Sequence, residues 1–255
     1  MNFTDRTILV TGASRGIGAA LARAFAAEGA LVVVNYRTDV DAAGAVVAAC
    51  QAAGGDAWAI RADVTDPDAV AGMMEEIARE AGGLDCVVNN AFRPYVFDPE
   101  RRTAFWDTTW DAYQGQVDGA LKATHTVCKA ALPLLCKRPG GSIVNITTDL
   151  VARAVAPYHE YATAKAALTG FSRTLAAELG PLGVRVNCVA PGLVSPTQSS
   201  AATKEAVKEA IIAQTPLRRI ARPEDIAGPV LFLASPWSGF MTGQTLYVDG
   251  GLVMS

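Results

Sequence analysis

Thr7-Ile-Leu-Val-Thr-Gly-Ala-Ser-Arg-Gly-Ile-Gly18 is the stretch that decides the fold. Residues 7–10 are a short β-branched apolar run, glycines follow at 12, 16 and 18, and an alanine-rich segment of helical period runs from Ile17 to Glu28. Alone, a glycine-rich turn says little. Between a buried strand and a helix it has a purpose: the glycines permit a tight turn, let a pyrophosphate approach the backbone, and let the helix pack closely on the strand. The helix beginning near Gly16 also turns unpaired N–H groups and the positive end of its dipole toward that phosphate. Gly12, Ser14, Arg15, Gly16, Ile17 and Gly18 are therefore the candidate phosphate loop of a dinucleotide site.

The same alternation continues outward. Leu31–Val34, Cys86–Val88, Ile143–Ile146 and Val184–Val189 are near-continuous apolar runs, as strands buried on both faces should be. Helical candidates lie between them at Asp41–Ala53, Pro67–Ala81, Trp110–Leu135 and Tyr158–Leu179. Strands alternating with helices predict an α/β fold, a doubly wound parallel sheet. Neither a low-complexity linker nor an internal repeat interrupts the pattern, so residues 1–255 read as a single domain.

In such a sheet, ligands bind at the carboxyl ends of the strands. An NAD-preferring protein places Asp or Glu about 20 residues past the glycine turn to hold the adenosine ribose. This chain has Asn35-Tyr36-Arg37 there. No carboxylate repels a 2′-phosphate, and Arg37 with Arg15 can clamp one through charge-assisted hydrogen bonds. NADP(H) is thus favoured over NAD(H). Asp63-Val64 suits an adenine contact, with a turn or helix-capping role for Asp63 as the competing reading. Asn89-Asn90-Ala91, Thr148 and Pro191-Gly192 close later strands at the same edge.

The chemistry shows most plainly in Tyr161-Ala-Thr-Ala-Lys165. Residues four apart in a helix share a face, so a phenol and an ammonium stand side by side. Tyrosine ordinarily titrates near about 10, and a neighbouring cation favours its phenolate. Tyr161 is a candidate general acid/base with Lys165 as its electrostatic partner.

Composition narrows the partners. Half the chain is hydrophobic (51%), the formal net charge is −3, and Lys and Arg are dispersed, which leaves no basic stripe for nucleic acid or an anionic membrane. No apolar run approaches the roughly 20 residues of a membrane span. Met1–Arg6 runs straight into the first strand without a separate signal core. Cys50, Cys86, Cys128, Cys136 and Cys188 lack metal-ligand spacing and read as small core residues of a protein in a reducing cytoplasm. His125 and His159 have no partner pattern for metal or triad chemistry, and no metal site is expected. The basic pairs Arg101-Arg102 and Lys137-Arg138 read as solvated surface, with contact to an acidic carrier as the alternative.

With these residues in hand, the chain resembles the short-chain dehydrogenase/reductase family over essentially its whole length. It is most similar to the bacterial 3-oxoacyl-acyl-carrier-protein reductases of fatty acid biosynthesis and their paralogues. The resemblance rests on Thr11–Gly18, Asp63, Asn89–Ala91, Thr148, Tyr161 with Lys165, Pro191-Gly192 and the closing Thr242–Gly251. It implies a seven-stranded Rossmann sheet, a substrate flap near residues 197–215 and a homotetramer. Tyr161 becomes the proton donor to a carbonyl, Lys165 lowers its pKa and binds the nicotinamide ribose, and Thr148 orients substrate where serine is usual. The Val194 backbone meets the nicotinamide carboxamide.

Three positions depart from the family pattern. Val117 stands where an asparagine usually supports a proton relay, leaving backbone, Gln116 or Asp118, or another route, to serve. Phe92 replaces the glycine after Asn-Asn-Ala, and Pro196 takes the place of a cofactor-contacting threonine, with Thr197 one step later. The leading expectation is an NADPH-dependent carbonyl reductase acting on a small carbonyl substrate, best guessed as a 3-oxoacyl thioester, free or carrier-bound. The alternatives are a catalytically weak NADP(H)-binding sensor or scaffold, and an NAD-linked secondary alcohol dehydrogenase.

Overall fold

The apolar runs become parallel strands of one sheet in the computed structural model, which describes residues 1–97, 103–155 and 158–254. The strands are β1 (Thr7–Val10), β2 (Leu31–Tyr36), β3 (Asp56–Arg61), β4 (Cys86–Asn89), β5 (Ser142–Ile146), β6 (Arg185–Pro191) and β7 (Thr245–Val248). Their spatial order is β3-β2-β1-β4-β5-β6-β7, the seven-stranded doubly wound arrangement. β7 had no strand signal of its own; the resemblance alone implied it.

Register brings the carboxyl ends together. Val10 lies opposite Val34 on one side and Val88 on the other, so the loops after β1, β2 and β4 leave the sheet at one level. Between β1 and β4 the strand order reverses, which opens the crevice a ligand can enter.

Alternation along each strand feeds two cores. Ile8 and Val10 join α1 (Gly16–Ala27), α2 (Val40–Ala52) and α8 (Ala227–Ala234) on one face. Leu9 points the other way, into the layer that includes α3 (Pro67–Ala81), α5 (Ala123–Leu135) and the carboxyl end of α6 (His159–Leu179). α3 has the bounds its sequence signals: the Asp66 carboxylate caps the N–H groups of Asp68 and Ala69, Pro67 opens the first turn, and Gly82 ends the helix at φ 73°.

The fourth helix is not continuous. α4 (Trp110–Val117) passes into a wider π-helical turn, Asp118–Lys122, before α5 resumes. Arg93 is wedged against this stretch: a Cβ on Gly115 or Gly119 would collide with it. Helical periodicity registers apolar faces, not an extra residue per turn.

Two surface readings change. Cys136 is exposed, whereas Cys50, Cys86, Cys128 and Cys188 are buried as expected. Arg138 is no solvated charge: it pairs with the buried Asp85 carboxylate and donates to the Ala81 carbonyl. The Arg101-Arg102 pair lies outside the described residues. Among the described residues no helix is long and apolar enough to cross a membrane.

Candidate active site

The loop after β1 is held by amide side chains from its neighbours. Gly12 and Gly16 have φ of +60° and +54°, a region closed to most side chains. A Cβ on Gly18 would lie 2.6 Å from both the Asn90 side chain and the Gly12 carbonyl. The loop therefore accepts only glycine here, while around Gly16 the nearest atoms to a would-be Cβ are those of Thr197 at 3.8 Å, leaving room above the helix N-terminus. Thr11 is a hub that sequence reasoning did not single out. Its hydroxyl donates to the Val88 carbonyl and accepts from the N–H groups of Asn90 and Ala91 at 3.0 Å.

Asn35 and Asn90 brace this loop from either side. Asn35 is 1% exposed; it accepts from the Gly12 N–H at 3.1 Å and donates to the Ala62 carbonyl at the same distance. Asn90 donates to the carbonyls of Thr11 and Gly12. Asn35, expected at the cofactor, lines the cavity while its side chain shapes the loop.

At the far end, Arg15 and Arg37 both face the crevice and are about half exposed. Arg15 reaches Gln198 at 3.1 Å and Asp39 at 3.5 Å; Arg37 lies 3.8 Å from Asp63. Asp63 takes its turn role, accepting from the Thr65 N–H and hydroxyl. Although partial burial pushes its carboxyl up, those bonds and Arg37 hold it below its usual range. Val64 lies beside it on the cavity wall.

At the opposite end stand Thr148, Tyr161 and Lys165, all buried and all lining the same cavity of about 780 Å³. Ser14, Ile17, Ala91, Pro191, Gly192 and Val194 line it as well, so the expected residues converge on one continuous space, except Gly18, which is buried beneath the loop. Thr148 leaves β5, and its hydroxyl accepts from the Leu150 N–H at 3.4 Å. Lys165 projects from α6 and donates to the Ile146 carbonyl at 2.7 Å, with its ammonium 5.2 Å from the Phe92 ring centre.

The protonation states differ from the simple expectation. Burial pushes the Tyr161 phenol well above its ordinary value; a hydrogen bond with Thr148 opposes that, and the Asp149 carboxylate adds to it. Lys165 stands one turn further along α6. Its own ammonium is pushed down to about 8 by burial. Adjacency on a helix specified the pair, but desolvation outweighs the neighbouring charge here.

Residues that the sequence did not single out individually complete the substrate end. Asp149, 2% exposed, pairs with Arg153 at 2.6 Å, and burial pushes its carboxyl up against that pairing. Tyr95, Phe97 and Tyr158 line the cavity around Tyr161. An aromatic segment was visible after Phe92, but not which rings would meet the tyrosine. At the departures from the family pattern, Thr197 reaches the cavity while Pro196 does not, and Asp118 reaches it while Gln116 and Val117 do not. Among the described residues there is no metal-binding cluster of His, Cys, Asp and Glu.

A glycine loop on a helix N-terminus at the switch point of a parallel sheet defines the dinucleotide-binding α/β class. A family model described as enoyl-(acyl carrier protein) reductase matches residues 12–253. A 3-oxoacyl-[acyl-carrier-protein] reductase of Synechocystis sp. is 39% identical over 252 residues, covering 98% of each chain. Among solved structures, a short-chain dehydrogenase from Burkholderia cenocepacia J2315 in complex with NADP is 36% identical, with a TM-score of 0.88 over 99% of each chain. A 7α-hydroxysteroid dehydrogenase solved with NADH and 7-oxo-glycochenodeoxycholic acid is 30% identical with a TM-score of 0.90, covering 100% of this chain and 96% of the other. The chain belongs to the short-chain dehydrogenase/reductase family, oxidoreductases that bind a nicotinamide cofactor.

Proposed function

We propose that the protein is an NADPH-dependent carbonyl reductase, reversible in principle, whose best single substrate is a 3-oxoacyl thioester, free or carried on an acyl carrier protein. The observation that carries this is the single cavity running from Arg15 and Arg37, past the glycine loop, to Thr148, Tyr161 and Lys165. The loop fits a dinucleotide because bulk at Gly12 or Gly18 would strike Ala91 or Asn90, while the space beside Gly16 stays open. When bound, the cofactor supplies hydride to the carbonyl carbon.

The chain's own residues do the rest. Gly12, Ser14, Gly16 and Ile17 hold the pyrophosphate, with Gly18 packing the helix closely under the loop; Arg15 and Arg37 take the 2′-phosphate, which favours NADP(H); Asp63 and Val64 border the adenine. Asn90, Ala91, Pro191, Gly192 and the Val194 backbone line the nicotinamide end. Tyr161 gives its proton to the carbonyl oxygen. Burial favours its neutral form, the one that has a proton to give. Thr148 orients the carbonyl through its hydroxyl, and Lys165 binds the nicotinamide ribose. Asp118 and the π-helical backbone reach the cavity where Val117 does not, so they are the route for resupplying the proton. The segment 197–215 acts as a substrate flap on a single catalytic domain in the cytoplasm. A homotetramer accounts for the exposed Trp110 on α4 and for Trp237 and Phe240 before β7.

The test is NADPH oxidation against 3-oxoacyl thioesters, simple ketones and enoyl thioesters, with NADH and Tyr161→Phe in parallel. Turnover of ketones with NADPH, lost in the variant, is expected. Tight NADPH binding without turnover would favour the sensor or scaffold alternative, preference for NAD(H) the alcohol dehydrogenase, and turnover of enoyl thioesters alone a carbon–carbon double-bond reductase.

A further inference from the structure

The reductase reading leaves open what kind of acyl tail the site receives, and the wall beside Tyr161 speaks to that. The strap leaving β4 brings Tyr95 and Phe97 onto the Tyr161 ring. Tyr95 stacks on it at 5.0 Å between centroids and 26° between planes, and Phe97 meets it edge-on at 5.2 Å and 88°. Tyr158, just ahead of α6, stands edge-on to both, at 6.1 Å from Tyr95 and 5.2 Å from Phe97. Phe92 closes the other side at 6.2 Å from Tyr161.

Two features separate this group from ordinary packing. First, Phe92, Tyr95, Phe97 and Tyr158 are only partly buried, and all four line the cavity. A core cluster would close on itself. Second, the strap is tied down where the rings need it. The Phe97 N–H donates to the Ser199 carbonyl at 3.3 Å, the Thr203 hydroxyl donates to the Phe97 carbonyl at 3.4 Å, and the Tyr95 hydroxyl bonds to Glu160. Strap and flap are thus joined at Phe97 by one backbone and one side-chain hydrogen bond, and the rings are held at the cavity wall in advance of any ligand.

Preset aromatic walls discriminate by shape. A flat ring can adopt the edge-on or offset contacts that aromatic groups prefer, which an alkyl chain cannot reproduce. An unbranched chain must also give up several freely rotating bonds to lie against the same surface. We propose that the site selects carbonyl substrates whose tail carries an aromatic ring close to the ketone, in preference to unbranched acyl chains. This rests on the reductase reading above.

The test uses N-acetylcysteamine thioesters of equal acyl carbon count: 3-oxo-4-phenylbutanoyl, 3-oxo-4-cyclohexylbutanoyl and 3-oxodecanoyl. In all of them the ketone is unconjugated, so its intrinsic reactivity is similar. The phenyl compound is expected to exceed the decanoyl compound in kcat/KM about tenfold, with the cyclohexyl compound between them. Phe97→Leu should bring that ratio close to one, and Phe97→Tyr should retain it. Calorimetric Kd values for the same compounds, taken with NADP⁺ present, separate recognition from turnover. Equal or tighter binding and turnover of the decanoyl compound, or an equal loss for all compounds in Phe97→Leu, would overturn the proposal. Preferential phenyl binding without turnover would uphold the pocket's selectivity and overturn the reductase reading instead.

Discussion

The two ends of the cavity are built from different materials. At the phosphate end, the loop leaves no room for a side chain: a Cβ on Gly12 would meet Ala91 and one on Gly18 the Gly12 carbonyl and the Asn90 amide, and Thr11, Asn35 and Asn90 direct their hydrogen bonds to the loop and its flanks. At the substrate end, the walls are side chains on loops: Tyr95, Phe97, Tyr158 and the Asp149–Arg153 pair. A backbone-built site tolerates almost no change of residue type, because only glycine meets its steric demands. A site walled by side chains keeps its frame while its selectivity drifts. The proposed hydride and proton chemistry falls where the two meet, at Tyr161 and Lys165.

Substitutions can separate the two ends, and the largest effect belongs at their junction. Tyr161→Phe removes the proposed proton donor and keeps the ring, so kcat should fall about 100- to 10,000-fold while the Kd for NADPH moves little; steady-state rates beside fluorescence titration check both. Next, Arg37→Asp exchanges a cation for an anion at the phosphate end. The ratio of NADPH to NADH affinities should drop by about tenfold to a hundredfold, with ketone KM values under saturating cofactor nearly unchanged. Gly18→Ala tests the backbone contact itself. With a Cβ 2.6 Å from the Gly12 carbonyl, it should cost about 1–3 kcal/mol, seen in denaturant unfolding together with weaker NADPH binding.

The smallest effect is a pH limb. Burial holds the Lys165 ammonium near about 8, so kcat/KM should be flat below that and decline above it as the proton leaves. Stability should run the other way. The folded pKa lies below the unfolded value near 10.5, so the unfolded chain binds more protons between about 8 and 10.5, and this group's contribution to stability rises across that window. Lys165→Met should flatten both trends.

How much was legible in advance follows the same division. The glycine loop, the bounds of α3 and the Tyr161–Lys165 spacing were all readable, because each rests on a local pattern of residue types. Asn35 was recognisable as an amide at a strand end, but not as one turned inward to the Gly12 N–H, since that needs the partner loop in place. The π turn after Val117 escaped because helical periodicity does not register an extra residue per turn, and the packing of Arg93 beside Gly115 and Gly119 shows only in the folded chain. Asp149 follows Thr148 directly, yet nothing in a pattern of apolar runs signals a buried carboxylate paired with Arg153. Tyr95 and Phe97 belong to a strap whose path is set by hydrogen bonds to the flap, more than 100 residues away in the chain. Proximity of Lys165 to Tyr161 suggested a lowered phenol, whereas only the packed fold reveals the burial that raises it.

The most direct test of the central claim follows the hydride. Incubating the protein with a 3-oxoacyl thioester and NADPH deuterated on the transferred face of the nicotinamide should yield a 3-hydroxy product carrying one deuterium on the former carbonyl carbon, and Tyr161→Phe should yield almost none. Protein that binds NADPH firmly but leaves every ketone unlabelled would contradict the account, and would make the site one for holding the cofactor.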